Sequence, residues 1–103
     1  MAKPKFTLGK RQAKIEIIMA RVFMYTTAIC PYCVNAKKLL AQKGVSVEEI
    51  RVDQNPQLRS EMMQKSGQRT VPQIWIGDFH VGGFTDLWAL EKQGKLDGLL
   101  QNN

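Results

Sequence analysis

The chain carries only two cysteines, Cys30 and Cys33. They stand three residues apart around a proline and a tyrosine, in the run Cys30-Pro31-Tyr32-Cys33. Three chemistries use such a pair. A structural zinc site needs about four ligands, and here there is no second CxxC and only one histidine, His80. A structural disulfide across two intervening residues closes a very short loop and constrains little of the unfolded chain. A redox dithiol needs only this one pair, close enough to form and break a bond, and it is the reading the residues favour.

The elements around the pair explain how it would be held. Arg21 to Tyr25 is a short run rich in strand formers and predicts a first strand. Thr26 to Ile29 is a loop. Pro31 suits the first turn of a helix, where its missing N–H costs nothing. Val34, Ala36, Leu39 and Leu40 then follow helical spacing, up to a stop at Gly44. Val45 to Val52 alternates as a second strand. Asn55-Pro56 starts a second helix with Leu58, Met62 and Met63 facing the core, ended by Gly67. Val71 to Ile76 predicts a third strand, Gly77-Asp78 a turn, and Phe79 to Val81 a fourth strand. Phe84 to Gln93 predicts a third helix with Leu87, Trp88 and Leu90 as buried positions, and Lys95 to Leu100 a short fourth. The order β-α-β-α-β-β-α-(α) predicts an α/β domain with a small four-stranded mixed sheet and helices on both faces. The first three strands are expected to run parallel through right-handed crossovers and the last pair antiparallel.

This placement carries a chemical consequence. A cysteine attacks as the thiolate, and a free thiol with a pKa near 8.5 is only a few per cent ionised at neutral pH. Cys30 falls at the cap of the first helix, where unpaired N–H groups and the positive end of the macrodipole stabilise a negative sulfur. Cys33 lies about one turn deeper on the same face. Cys30 is therefore expected to be exposed and attacking, and Cys33 more buried and resolving. Tyr32 presents an amphipathic ring at the rim.

Two later motifs extend the pattern: Thr70-Val71-Pro72 ahead of the third strand, and Gly82-Gly83-Phe84-Thr85-Asp86 at the start of the third helix. With strand–loop–CPYC–helix in front of them, in this order and spacing, the region from about Met19 to Leu100 resembles a dithiol glutaredoxin of the bacterial type. The resemblance implies a thioredoxin-like fold and a glutathione-dependent thiol–disulfide oxidoreductase, with glutathione as co-substrate and no metal. It implies that Pro72 is cis and sits against the dithiol, leaving the Val71 backbone to pair with an extended ligand, as strand addition does. At Gly83, Thr85 and Asp86 the helix N–H groups would hold the γ-glutamyl carboxylate of glutathione and Asp86 its ammonium. Taken alone, Thr85 and Asp86 read equally well as ordinary helix caps. Arg69 and Arg59 would meet the glycyl carboxylate. Where the family often has a lysine three residues before the first cysteine, this chain has Thr27, which donates one hydrogen bond but no charge, so Arg59 and Arg69 are expected to carry more of the binding. The implied partners are glutathione and glutathionylated or disulfide-containing proteins, with ribonucleotide reductase as a family-level expectation, and the implied state is a monomer.

Composition bounds the alternatives. With 103 residues there is room for one domain. Hydrophobic residues at 44% and charged residues at 23% fit a globular protein. No apolar run approaches the roughly 18 residues that span a bilayer, and the cytoplasm is the expected location. The net charge of +6 is concentrated at the front, where Lys3, Lys5, Lys10, Arg11 and Lys14 precede Glu16. Residues 1–18 read as a basic extension, disordered or non-native, before a domain over 19–103. Lacking interleaved aromatics, the extension is expected to be a solvated tail rather than a nucleic-acid arm. His80 is expected to be a surface histidine. Two other readings of the dithiol stay open: an electron donor reduced by a flavoenzyme, and an iron–sulfur carrier.

Overall fold

The computed structural model describes residues 20–101. The basic stretch over 1–18 lies outside the described residues. Strand β1 (Val22–Thr26) occupies the middle of the sheet. Helix α1 (Pro31–Gln42) follows, then β2 (Val47–Arg51), α2 (Pro56–Ser66), β3 (Gln73–Ile76), β4 (Phe79–Gly82), α3 (Phe84–Lys92) and α4 (Leu96–Leu100). The strand order is β2-β1-β3-β4.

The element order predicted from the sequence is found, but the direction of one strand is not. β1 and β2 are parallel, with Thr26 opposite Arg51. β3 runs antiparallel to β1, with Gln73 opposite Tyr25, and β4 antiparallel to β3. Arg51 and Gln73 therefore sit at the same end of the sheet. The connection through α2 leaves and returns at that end instead of carrying the chain back to the other, so β3 must reverse. An amphipathic helix between two strands reads the same whether it runs along the strands or across them, which is why the sequence misleads here.

α1 is capped by Cys30 and has Pro31 at its first position. It buries Cys33, Ala36, Leu39 and Leu40, residues spaced three to four apart. Ala36, Leu39 and Leu40 pack with Val22, Met24, Ile74, Ile76, Leu87, Leu96 and Leu100 into the larger of two cores, on the sheet face covered by α1, α3 and α4. The opposite face carries a smaller core of Tyr25, Val52 and Met62, joined by Leu58, Met63, Val71 and Trp75 beneath α2. Helix α2 starts at Asn55, whose side chain accepts from the N–H groups of Gln57 and Leu58, both at 3.1 Å. It ends at Gly67 with φ of 71°, a left-handed cap that favours glycine. Trp88, expected inside, is 46% exposed: α3 turns only Leu87 fully into the core. No helix among the described residues is long and apolar enough to cross a membrane.

Candidate active site

The chain leaves β1 through Thr26 and reaches the helix cap at Cys30 by way of a short loop. Two ion-pair networks hold that loop. Thr26 is buried, and its hydroxyl donates to Glu49 on β2 at 2.7 Å. Lys37 of α1 closes on the same carboxylate at 3.2 Å. The Thr26 hydroxyl, and after it Lys37, keep Glu49 below the ordinary carboxylate range. On the other side, Arg51 grips both oxygens of Asp53, and Asp53 accepts from the Ala28 N–H at 3.3 Å. The guanidinium lowers the Asp53 pKa to about 2.

Cys30 and Cys33 are joined as a disulfide, with their Cα atoms 5.2 Å apart. Cys33 is 1% exposed and Cys30 is partly exposed. The Cys33 N–H donates to the Cys30 sulfur at 3.1 Å. The Cys30 backbone is extended (φ −152°, ψ 95°), as a cap residue requires. The site thus holds one accessible sulfur facing a helix N-terminus and one beneath it.

The Val71–Pro72 bond is cis, and the Val71 carbonyl oxygen lies 3.9 Å from the Cys30 sulfur. Beside it opens a groove of about 310 Å³, lined by Tyr32, Thr70, Val71, Pro72, Gly83, Phe84 and Thr85. Six of these seven were named from the sequence. The seventh, Phe84, stands inside the GGFTD motif; its ring lies 6.3 Å from that of Tyr32 and 6.5 Å from that of Trp88, so an aromatic row runs from the dithiol along α3. A larger cavity of about 480 Å³ lies on the α2 face, lined by Phe23, Tyr25, Ile50 and Trp75 among others. Neither cysteine borders it.

The remaining sequence candidates stand outside the groove's lining. The Thr27 hydroxyl donates to the Ile29 carbonyl at 3.4 Å and so serves the loop itself. Asp86 turns one carboxylate oxygen back to the Gly83 N–H at 3.0 Å, which is the capping arrangement. Arg69 is exposed. Arg59 is half-buried, and its Nη1 is enclosed without a hydrogen-bond partner among the described residues. His80, expected at the surface, is instead partly buried, with its ring stacked on Trp75 and its Nε2 2.8 Å from Gln73 Oε1.

A four-stranded sheet with a CxxC pair at the cap of its first helix, facing a cis-proline loop, defines a thioredoxin-like thiol–disulfide oxidoreductase. Comparison with known proteins narrows the class. The glutaredoxin family model matches residues 22–81. A glutaredoxin of Pseudomonas aeruginosa is 60% identical over 82 residues, covering 80% of this chain and 98% of its own. Glutaredoxin 3 of Escherichia coli is 52% identical over 83 residues, covering 81% of this chain and all of its own. Among solved structures, the glutaredoxin of Brucella melitensis superposes with a TM-score of 0.72 at 54% identity, covering 81% of this chain and 90% of that one. A buckwheat glutaredoxin–glutathione complex superposes at 0.73 with 32% identity, covering 79% and 76%. The chain belongs to the glutaredoxin family, and its Cys30–Cys33 pair fits that family's CxxC active site.

Proposed function

We propose that this glutaredoxin resolves protein–glutathione mixed disulfides through Cys30, and protein disulfides through Cys30 and Cys33 together. The observation that carries the reading is the Cys30 sulfur, held by the Cys33 N–H and bordered by a groove of small-ligand size. In the reduced protein the same N–H stabilises the thiolate. That thiolate attacks the glutathione sulfur of a mixed disulfide; a Cys30–glutathione bond forms, the old S–S bond breaks, and the protein thiolate leaves and takes up a proton. A second glutathione thiolate then attacks the bound glutathione sulfur, giving glutathione disulfide and regenerating Cys30. With a protein disulfide, Cys33 attacks the Cys30 mixed disulfide and closes the Cys30–Cys33 bond, which glutathione reduces.

The groove residues take complementary roles. The Val71 backbone and Thr70 hold the extended cysteinyl portion, and Tyr32 and Pro72 flank it. Gly83 and Thr85 offer the start of α3 to the γ-glutamyl carboxylate. Asp86, with one oxygen on Gly83, turns the other toward the ammonium. Arg59 and Arg69 supply the cations for the glycyl carboxylate; the Arg59 Nη1, enclosed and without a hydrogen-bond partner among the described residues, has donor capacity to offer once its side chain turns outward, while Thr27 contributes to the loop. That a family relative is solved as a glutathione complex supports the same ligand here.

Cysteine-to-serine variants test the division of labour. Cys33→Ser is expected to keep deglutathionylation of a glutathionylated peptide and to lose reduction of a protein disulfide; Cys30→Ser loses both. Loss of both activities in Cys33→Ser contradicts the scheme. Turnover supported by thioredoxin reductase but not by glutathione with glutathione reductase contradicts the choice of reductant.

A further inference from the structure

Gln73 opens β3 directly after the cis-proline loop, and it is fully buried. A buried amide calls for partners, and Gln73 has them at both ends. Its Nε2 donates to the Thr70 carbonyl at 3.0 Å, with the Thr70 hydroxyl and Gln68 Oε1 each at 3.3 Å. Its Oε1 faces His80 Nε2 at 2.8 Å. The Thr70 carbonyl can only accept, so the NH₂ end must point toward it and Oε1 must point toward His80. His80 Nε2 therefore carries a hydrogen and donates, which fixes its tautomer in the neutral ring. The His80 ring is itself held by stacking on Trp75, with centroids 4.4 Å apart.

The chain Trp75–His80–Gln73–Thr70 thus runs from the sheet to the groove wall. The wall needs such a tie: residues 68–72 lie between the end of α2 and the start of β3 and belong to neither. Yet Thr70 and Val71 line the groove, and the Val71 carbonyl lies beside the Cys30 sulfur. A buried side chain that served packing alone would need no amide at this position. We propose that Gln73 is a positioning residue, whose buried amide, oriented by His80, holds the Thr70–Val71 wall in the shape that receives the glutathione moiety. This rests on the glutathione reading above, and the experiment separates the two.

Three variants of the full chain distinguish positioning from packing. Gln73→Met keeps length and loses every hydrogen bond of the amide. Gln73→Glu keeps an acceptor for His80 but turns a carboxylate oxygen on the Thr70 carbonyl. His80→Phe keeps a ring on Trp75 and removes the donor. Each is measured for kcat and KM with a glutathionylated peptide, for alkylation of reduced Cys30 by iodoacetamide, and for the NMR backbone order parameters of Thr70 and Val71. Gln73→Met is expected to raise KM about tenfold, the equivalent of one or two hydrogen bonds, with kcat and alkylation rate within about twofold of the parent. The Val71 order parameter falls from that of a rigid backbone toward that of a flexible loop. Gln73→Glu raises KM at least as far, and His80→Phe moves KM the same way, about threefold. Unchanged KM and order parameters in folded Gln73→Met overturn the proposal, as does a fall in kcat and alkylation with KM unmoved. If Gln73→Met fails to fold, His80→Phe decides on the same criteria. If the parent protein does not turn over the glutathionylated peptide at all, the glutathione reading fails, and the order parameter of Val71 alone decides whether Gln73 holds the wall.

Discussion

The Asp53 carboxylate, two residues past the end of β2, accepts from the backbone N–H of Ala28 at 3.3 Å, two residues before Cys30. Arg51 clasps the same carboxylate at 2.9 and 2.8 Å. A strand end thereby steadies the loop that delivers the nucleophile to its helix. Because the Arg51 contact lowers the Asp53 pKa from 3.8 to about 2, the tie has a definite pH signature. A depressed carboxylate contributes stability that is present above its unfolded pKa and lost as pH falls through its folded one. Asp53→Asn is therefore expected to lie below the parent in denaturation midpoint at pH 7, and the gap to close between pH 3.8 and about 2. Urea titrations at pH 7, 4 and 2.5 measure this; a gap that is unchanged at pH 2.5 contradicts it.

The two glycines of the second motif do different jobs. Gly82 has φ of 110°, and a Cβ there would collide with the Asp86 carboxylate. Gly83 has φ of −93°, open to any residue, and a Cβ there would rest 3.6 Å from the Pro72 carbonyl, an ordinary contact. Gly82→Ala is expected to destabilise the fold by about 1–3 kcal/mol from backbone conformation alone. Gly83→Ala is expected to stay within about 0.5 kcal/mol of the parent and to raise KM for a glutathionylated peptide, since the added methyl stands between Pro72 and α3, across the groove. Thermal melts and steady-state kinetics on the pair check the contrast. Equal destabilisation of both, with KM unmoved in Gly83→Ala, counts against it.

The helix cap beneath the dithiol makes a kinetic prediction. With the Cys33 N–H directed at the Cys30 sulfur, reduced Cys30 is expected to react with iodoacetamide at pH 6, where a free cysteine is almost wholly protonated. Cys33, buried, is expected to resist the reagent while the fold is intact. Mass spectrometry of the singly alkylated product assigns the site. A product modified at Cys33, or none until alkaline pH, contradicts the assignment of roles.

What the sequence revealed and what it hid follow from the range of each interaction. The CPYC cap, the Asn55-Pro56 start and the Gly67 stop are local, and each was legible because one or two residues decide the backbone there. Six of the seven groove residues were legible because three short motifs carry them. The direction of β3 was not, because it depends on which end of the sheet α2 returns to, and no local residue encodes that. Trp88 was misplaced because helical spacing gives the stripe of apolar positions but not its width; the stripe on α3 is narrow and leaves that ring beside the aromatic row. The ties from Glu49 and Asp53 to the loop, and from His80 to Gln73, join residues 7 to 25 positions apart, through side chains that look like ordinary surface polar groups in the sequence.

Arg59 offers a separation of binding from stability. Its Nη1 is enclosed and has no hydrogen-bond partner among the described residues, an arrangement that costs free energy until the side chain turns out to meet an acceptor. In the proposed complex that acceptor is the glycyl carboxylate of glutathione. Arg59→Met keeps the apolar stem against its neighbours and removes the unmatched donor, so the melting temperature is expected to hold or rise slightly. KM for a glutathionylated peptide is expected to rise about tenfold, as for one lost hydrogen bond to a charged group. Reactivity of reduced Cys30 toward iodoacetamide, which needs no carboxylate contact, is expected to stay within about twofold. A large drop in melting temperature would show that the guanidinium supports the fold through contacts of its own. An unmoved KM would remove Arg59 from the binding site and leave the glycyl end of the ligand to Arg69.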